Sequence, residues 1–267
     1  MHAAAPDPII APDLLLMAYR SGIFPMSDAR DDPEIFWVEP RRRAILPLDG
    51  FRCSRSLART LRRGRFTVTC NAAFSAVMQA CAAPRAESDG TWISNRIEAS
   101  YCALHELGLA HSIECWHDGA LVGGLYGVGF DQVFCGESMF SRVPDASKVA
   151  LAWLVAALRR GGAQLLDCQF ITDHLASLGA IEISQARYLK LLEAAQRSTL
   201  GAGALAAGAF GAGALAAGDG VAEAAAGGDG EALALPVAFG ALLADAAAAG
   251  LSSSPGNFIA QSFTQTS

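Results

Sequence analysis

The segment from His105 to Lys148 constrains the fold of this chain more than any other part of the sequence. Strand-like runs over 111–117 and 120–128 flank Asp118-Gly119, a dipeptide that favours a tight β-hairpin turn. A third run over 131–136 follows and leads through Gly-Glu-Ser-Met-Phe-Ser towards a helix. Three strands in close succession predict an antiparallel centre for the sheet.

Helices and further strands surround this centre without a strict strand–helix alternation. An apolar face and a terminal Gly161-Gly162 predict a helix over 147–160, and a buried-type strand follows over 163–167. This mixed order favours an α+β fold. Further helices are predicted at about 13–22, 54–64, 71–81, 95–107, 173–178 and 184–197. We expect three parts: a small N-terminal α+β domain over 1–43, a catalytic domain over 44–197 and a low-complexity tail over 198–267.

The tail is dominated by Ala and Gly. The sequence GAGALAAG occurs at 201–208 and again at 211–218, and residues 198–218 carry no charge. This stretch is long enough for a membrane span but is rich in glycine and poor in large apolar side chains. Its burial would offset too little of the cost of ordering the backbone, so a flexible segment without membrane contact is predicted. Apolar residues return over 257–267 and can allow that end to dock.

Charge is segregated along the chain. The first 197 residues carry 20 basic and 21 acidic side chains, the latter being 26 in the chain less five beyond residue 197. Within them, residues 41–65 hold nine arginines and a single acid, Asp49. Such an excess of positive charge suits a phosphate backbone. A solvated basic face explains the same pattern, and the residues alone leave both interpretations open.

The seven cysteines indicate a reducing compartment. Their number is odd, they are spread from Cys53 to Cys168, and no CxxC occurs. The first residues lack the basic and apolar regions of a secretory signal, so we expect a cytoplasmic protein. Cys115 and His117 have the spacing of two zinc ligands, but no second pair accompanies them, and no metal is expected.

The strand ending in Asp167-Cys168-Gln169 carries the first candidates for chemistry. Because side chains alternate along a strand, Asp167 and Gln169 are predicted on one face and Cys168 on the other. A carboxylate two residues from an amide can orient that amide, whose oxygen can then hold an incoming amine. The alternative is a structural acid that caps the helix beginning near Thr172. A nucleophilic Cys168 paired with His174 is disfavoured, since Cys168 faces away from the other two residues.

Glu137 is the second candidate. It stands beside Met139 and Phe140, and a carboxylate in apolar surroundings is costly unless it is paired or has a function. In a cavity it can bind an α-amino group or a cationic side chain. Its structural alternatives are the cap of a turn and an ion pair with Arg142.

Many segments of the chain occur in the order typical of one family. They are YRSGIFP, WVEPRRRAILP, TWI, ALHELGLAHSIECW, LVGGLYGV, FCGESMFS, ASKVAL, DCQ and HLASLGA, from about Leu14 to Leu192. In these segments the chain closely resembles the leucyl/phenylalanyl-tRNA–protein transferases. Two positions depart from the family pattern: Met26 stands where many members have Trp, and Thr172 where some have Asn.

The resemblance implies a catalytic domain similar to the N-acetyltransferases (GNAT-like) and a specific reaction. Leu or Phe, or else Met, would pass from aminoacyl-tRNA to proteins with N-terminal Arg or Lys, marking them for degradation through an N-degron pathway without a cofactor. We expect a monomer. The resemblance implies catalytic roles for Asp167, Gln169 and Glu137. Substrate contacts are implied for Trp92, Tyr101, Phe134, Gly136, Met139, Ser141, Lys148 and Leu154. Contacts with the tRNA backbone are implied for Arg41, Arg42, Arg43, Arg62, Arg63 and Arg65.

Some of these roles and two other functions stay open. Trp92 and Tyr101 can stack on the terminal adenine or pack in the core, and the apolar residues can line a pocket or fill the core. An acetyl-CoA-dependent N-acetyltransferase would need a Gly-rich pyrophosphate loop, but the segment 140–148 has no glycine. A non-catalytic RNA-binding module explains the arginines but not Glu137 or the pairing of Asp167 with Gln169.

Overall fold

The computed structural model describes residues 9–84, 90–207 and 232–264, and the side chains of 198–207 lie outside that description. The architecture is α+β, with one large mixed sheet between two layers of helices and a separate two-stranded sheet near the N-terminus.

Seven strands form the large sheet in the order β4-β5-β6-β7-β8-β3-β9. Every neighbouring pair is antiparallel except β7 and β8, which run parallel. The predicted antiparallel centre is confirmed, and the turn between β5 and β6 uses Asp118 and Gly119 with φ of 51° and 76°. The strands are β3 Arg42–Ile45, β4 Thr67–Cys70, β5 Ala110–His117, β6 Ala120–Phe130, β7 Val133–Ser141, β8 Leu165–Gln169 and β9 Ile181–Ser184.

The N-terminal part is a helix followed by a small sheet. Helix α1 spans Pro12–Arg20 and buries Leu15, Leu16 and Tyr19. Strands β1 (Phe24–Met26) and β2 (Phe36–Val38) then pair antiparallel. The chain enters the large sheet at β3, which lies between β8 and the edge strand β9, so the N-terminal part leads directly into the sheet beside β8.

Helices cover both faces of the large sheet. One core contains α2 (Arg55–Arg62) and α5 (Ala146–Arg160), and the other contains α1, α3 (Phe74–Ala82), α4 (Asn95–Glu106) and α7 (Gln185–Ala207). The short helix α6 (Asp173–Ser177) follows β8. Serine and threonine hydroxyls cap α2, α4 and α6 by accepting backbone N–H groups, as is typical of helix N-termini.

The C-terminal segment departs from the prediction of a flexible tail. Helices α8 (Leu235–Ala248) and α9 (Pro255–Ser262) pack against α5 and α2, and Phe239, Leu242 and Ile259 belong to the same buried core. The prediction of a flexible tail is therefore wrong for 232–256, where enough large apolar side chains return to bury, whereas 257–264 docks as the apolar residues there allowed. The second GAGALAAG repeat lies outside the described residues. Within the described ranges, no helix has the length and apolar character needed to cross a membrane.

Candidate active site

Two adjacent strands separate at the centre of the sheet and shape the site. Strands β7 and β8 pair only as far as Cys135 and Asp167. Beyond that point β7 continues along β6 to Ser141, while β8 continues along β3 to Gln169. The two diverging strand ends line a common cavity.

Glu137 is the extra residue of a β-bulge in β7. The adjacent residues Tyr126–Gly127 of β6 pair with Ser138 and Gly136, so Glu137 has no partner on that strand. A bulge redirects side chains relative to a regular strand. The position opposite requires glycine, since a Cβ on Gly127 would lie 2.2 Å from the carbonyl oxygen of Cys135. The strand irregularity therefore determines where the Glu137 carboxylate points.

A second irregularity lies at the end of β8. Ile45 pairs with Asp167 and Ala44 pairs with Gln169, which leaves Cys168 as the extra residue. Gln169 has φ of 59°, in the left-handed region that residues with side chains rarely adopt. Its side chain lines the cavity, and its Nε2 has no hydrogen-bond partner among the described residues. Backbone strain of this kind is typical of functional sites.

Asp167 is fully buried beside a buried arginine. Its carboxylate accepts hydrogen bonds from Arg43 Nε at 2.9 and 3.1 Å, from Arg43 Nη2 at 2.6 Å and from the Tyr188 hydroxyl at 3.0 Å. Oδ1 also accepts the backbone N–H of Gln169 at 2.8 Å. Asp167 does not line the cavity, so this geometry suits it to hold Gln169 in place.

These contacts correct three expectations. Arg43 is only 1% exposed and its charge is neutralised by Asp167, so its assignment to the tRNA backbone is wrong. Asp167 binds the backbone of Gln169 instead of its side-chain amide. Asp167 does not cap the following helix, because Thr172 Oγ1 accepts the backbone N–H of Leu175 there at 3.2 Å.

The cavity has a volume of about 870 Å³ and gathers most of the predicted substrate-binding residues. Its walls combine the carboxylate of Glu137 and the amide of Gln169 with apolar and aromatic side chains. A mainly apolar pocket with a few polar groups is the usual form of a small-molecule site. The predicted residues that line it are Trp92, Gly136, Glu137, Met139, Ser141, Leu154 and Gln169.

Three predicted substrate contacts do not line this cavity. Tyr101 and Phe134 are both 0% exposed and belong to the core, so stacking of Tyr101 on a base is not open to it. Lys148 instead forms an ion pair with Asp145 at 3.1 Å. Sequence patterns did not separate pocket residues from core residues because both are apolar and occupy the same strand and helix faces.

Glu137 has an incomplete set of partners. The Tyr101 hydroxyl donates to its Oε2 at 3.3 Å and also contacts the Tyr19 hydroxyl. Within the described part of the chain, Oε1 has no hydrogen-bond partner, and Arg142 donates to the carbonyl oxygen of Leu121 instead of pairing with Glu137. Burial raises the pKa of Glu137 to about 7, against the opposing effects of the polar groups of Tyr19 and Gln169. The carboxyl is thus able to change its protonation near neutral pH.

The connection after β8 supplies cavity residues that the sequence analysis missed. Phe170, Thr172, His174 and Leu175 all line the cavity next to Gln169. The available signal was an apolar Phe170 directly after a strand end, where a polar turn residue is more usual. Met26, noted for its departure from the family pattern, also lines the cavity.

The exposed arginines lie in two groups. Arg41 and Arg42 precede or begin β3, and Arg62, Arg63 and Arg65 precede β4, all of them exposed. From the pairing directions, β3 and β4 both run opposite to β7 and β8, so both groups lie at the sheet end where the site opens. Five strand intervals separate them, or roughly 24 Å at the usual spacing. The sequence predicted a single basic face, whereas the structure has two groups of exposed arginines, one on either side of the site.

Comparisons with known proteins all match this chain to one family, over most of its length. The family model for leucyl/phenylalanyl-tRNA protein transferase matches residues 45–193, and the model of its N-terminal domain matches residues 9–41. A leucyl/phenylalanyl-tRNA–protein transferase from Novosphingobium aromaticivorans is 68% identical over 97% of each chain. One from Rhizorhabdus wittichii is 60% identical over 73% of this chain and 79% of the relative. One from Zymomonas mobilis is 60% identical over 71% of each. The chain belongs to the leucyl/phenylalanyl-tRNA–protein transferase family.

Proposed function

We propose that this protein transfers Leu or Phe, with Met as a further donor residue, from aminoacyl-tRNA to the α-amino group of proteins that begin with Arg or Lys. The acceptor would thereby be marked for degradation through an N-degron pathway. The observation that carries the proposal is a single cavity that places an incompletely paired Glu137 and the Gln169 amide beside an apolar wall. Family membership supports aminoacyl transfer as the reaction.

The donor side chain suits the apolar wall. Met139, Leu151 and Leu154 line the cavity and can accept the side chain of Leu or Phe. Met is flexible and adapts to more than one shape of ligand. Trp92 lines the same cavity and can stack on the terminal adenine, an interaction that contributes about 1–3 kcal/mol per base.

The acidic residues in and near the cavity can bind the N-terminal residue of the acceptor protein. A buried carboxylate without a full set of partners favours a hydrogen-bond donor, and Glu137 can accept an N–H of the acceptor's α-amino group. A second hollow of about 680 Å³ shares Ala83 and Pro84 with the cavity and is lined by Asp31, Asp32 and Arg30, whose charge is paired with Glu98. The negative charge of Asp31 and Asp32 is compatible with the basic side chain of an N-terminal Arg or Lys.

The chemistry needs positioning more than activation. The amine nitrogen attacks the carbonyl carbon of the aminoacyl ester, the amide bond forms, and the ester C–O bond breaks. The ribose hydroxyl of the tRNA leaves with the proton that the amine loses. An α-amino group has a pKa of about 8, so a useful fraction is neutral, and correct orientation can supply up to roughly 7–11 kcal/mol. The Gln169 side-chain oxygen is suited to accept an N–H of the attacking amine.

The two exposed arginine groups support a tRNA partner. Each arginine bound to a phosphate contributes to affinity by releasing counterions, which makes binding weaken as salt rises. Neutralising Arg62 or Arg65 should raise the KM for aminoacyl-tRNA without changing kcat. It should also reduce the slope of log K against log salt concentration by about one for each arginine neutralised. The same substitution in Arg197, an exposed arginine far along α7 from the helix start beside Arg41, is the matched control.

The direct test uses the full chain with tRNA carrying labelled Phe and a peptide that begins with Arg. Label is expected in the peptide, and an otherwise identical peptide with an acetylated N-terminus should receive none. Gln169→Ala should reduce transfer about 100-fold while tRNA binding is retained. Absence of labelled peptide, with both substrates shown to be intact, would refute the proposal.

Two other results would redirect the assignment. Equal tRNA affinity without turnover in both the wild type and Gln169→Ala would favour an RNA-binding module. Saturable binding of acetyl-CoA would favour an N-acetyltransferase.

Several features belong to the same proposal. We infer a GNAT-like catalytic domain over 44–197 behind a small N-terminal domain over 1–43, a monomeric state and a cytoplasmic location. The mixed seven-stranded sheet with its diverging parallel pair supports the likeness to N-acetyltransferases. A mass measurement of the purified protein in solution tests the monomer.

A further inference from the structure

Arg43 makes an unusual set of contacts for a residue in an arginine-rich segment. Its side chain is 1% exposed and binds Asp167 through both Nε and Nη2. Its guanidinium lies 4.7 Å from the ring centroid of Phe24 and 4.5 Å from that of Tyr188. A charge buried this completely is costly without such partners, so the position demands arginine specifically.

The contacts of Arg43 lead to Gln169. Asp167, which Arg43 binds, accepts the backbone N–H of Gln169 at 2.8 Å. That hydrogen bond holds Gln169 at φ of 59°, in a backbone conformation that is unfavourable for a residue with a side chain. The direction of the Gln169 side chain in the cavity depends on this backbone conformation, and the conformation depends on a correctly placed Asp167.

The same guanidinium also contacts the N-terminal part of the chain. Nη1 donates to the carbonyl oxygen of Gly22 at 3.0 Å, and Phe24 begins β1. Tyr188, the other ring beside the guanidinium, belongs to α7 and donates its hydroxyl to Asp167. Arg43 therefore joins the N-terminal part, β8 and α7 at one buried point.

We propose that Arg43 is a positioning residue that links the docking of the N-terminal part to the orientation of Gln169 in the cavity. The proposal rests on the proposed function in one respect, the role of Gln169 at the attacking amine. According to this proposal, Arg43 affects the rate of the transfer step and does not bind tRNA. Arg43 has no contact with substrate, and acts through Asp167 and the backbone of Gln169.

The test compares Arg43→Lys with Arg159→Lys. Lysine keeps the charge at residue 43 but cannot bind Asp167 with two nitrogens in one plane. We expect kcat to fall about 10- to 100-fold, because small displacements of a reacting group have effects of that size, while the KM for aminoacyl-tRNA changes less than about twofold. Arg159 is the control, since its side chain is only 22% exposed and it binds the carbonyl of Leu48 at 2.8 Å, away from the cavity.

A second readout is independent of activity. Amide hydrogen exchange should show the N–H of Gln169 exchanging at least about tenfold faster in Arg43→Lys than in Arg159→Lys. Tyr188→Phe, which removes one hydrogen bond to Asp167 and keeps the ring beside Arg43, should give a smaller change in the same direction. If Arg43→Lys fails to fold, the exchange rate measured in Tyr188→Phe still tests the proposal.

The outcomes separate the alternatives. An increase in the KM for aminoacyl-tRNA with unchanged kcat would overturn the proposal and restore Arg43 as a residue that binds tRNA. Loss of thermal stability with unchanged kcat and unchanged exchange at Gln169 would also overturn it. Failure of the wild type to transfer any amino acid would refute the proposed function, whereas the exchange measurement would still decide the role of Arg43.

Discussion

The two buried carboxylates of the site lie in opposite electrostatic surroundings. Asp167, 0% exposed, receives hydrogen bonds from a guanidinium, a phenol and a backbone amide. Glu137, 9% exposed, receives a 3.3 Å hydrogen bond from Tyr101, and its Oε1 has no partner within the described ranges. Both residues stand on adjacent strands at the same end of the sheet.

The difference separates two uses of a buried acid. A carboxylate with a full set of donors is already neutralised and fixes the atoms around it, as Asp167 does for Gln169. A carboxylate with an open oxygen has a raised pKa because of its burial, and it can still receive a proton or a cation. The four predictions that follow test this contrast.

Asp167→Asn should have the largest effect. It removes the negative charge and leaves the Arg43 guanidinium buried without compensation, which destabilises a protein by about 3–5 kcal/mol. Urea unfolding measures the loss. Asp131→Asn is the control, because Asp131 is also buried but its partner Arg20 is partly exposed. Equal destabilisation by both variants would show that the buried ion pair of Asp167 with Arg43 contributes no more to stability than the partly exposed pair of Asp131 with Arg20.

The pH dependence of stability should reveal Glu137. Its pKa is raised in the folded protein from 4.5 to about 7, so the folded state favours the protonated form. The free energy of unfolding should therefore fall as pH rises from about 4.5 to 7, by up to about 3 kcal/mol from this residue. Glu137→Gln should lack this component in urea titrations across that range.

Another buried group acts in the opposite sense. Burial lowers the pKa of His111 to about 4, so its contribution to stability increases as pH rises towards 6.5. Subtracting the Glu137→Gln curve from the wild-type curve cancels this contribution. A flat difference curve would contradict the raised pKa of Glu137.

Glu137→Gln should also slow transfer, and the free energy that corresponds to this loss of rate should be smaller than the pH-dependent change in the free energy of unfolding. With the carboxylate gone, we expect transfer to an Arg-starting peptide to fall about 10- to 30-fold, because a charge-assisted hydrogen bond to the acceptor is removed. Initial rates with labelled aminoacyl-tRNA measure this. Glu193→Gln, an exposed glutamate on α7, should have the wild-type rate. An unchanged rate in Glu137→Gln would show that Oε1 of Glu137 has no role in transfer.

Tyr101→Phe should have the smallest effect. Removing its hydroxyl deprives Glu137 of a donor, which should raise the pKa of Glu137 further and cost about 1 kcal/mol of stability. The shift appears in the same pH-difference curve. Tyr126→Phe is the control for stability, since the Tyr126 hydroxyl is buried without a hydrogen-bond partner in the described part of the chain. A larger loss from Tyr126→Phe than from Tyr101→Phe would contradict the assigned hydrogen bonds.

Local signals predicted most of the fold. Asp118-Gly119 predicted the hairpin, Gly161-Gly162 predicted the end of α5, and the helix predicted over 54–64 is α2, which Ser54 caps. Each of these residues acts on its immediate backbone, so its effect can be inferred without knowledge of the tertiary structure. Gln169 and Glu137 were also identified, although their cavity was not.

Non-local contacts account for what the sequence did not predict. Alternation assumes one residue per pairing, so neither the bulge at Glu137 nor the one at Cys168 was expected. Arg43 was grouped with exposed arginines because burial depends on Asp167, 124 positions away. The docking of α8 against α5, and of α9 against α2 and α5, depends on contacts that composition alone does not reveal.

The bulge in β7 makes the site sensitive to the number of residues in that strand. A substitution along β7 alters one wall of the cavity and leaves the others where they are. Deleting a single residue between 134 and 138 would restore the regular ladder with β6 and remove the bulge that directs Glu137, while residues from Ser138 onward keep their partners on β6. Evolution can therefore adjust this cavity by exchanging side chains, but a change of length in β7 would dismantle it.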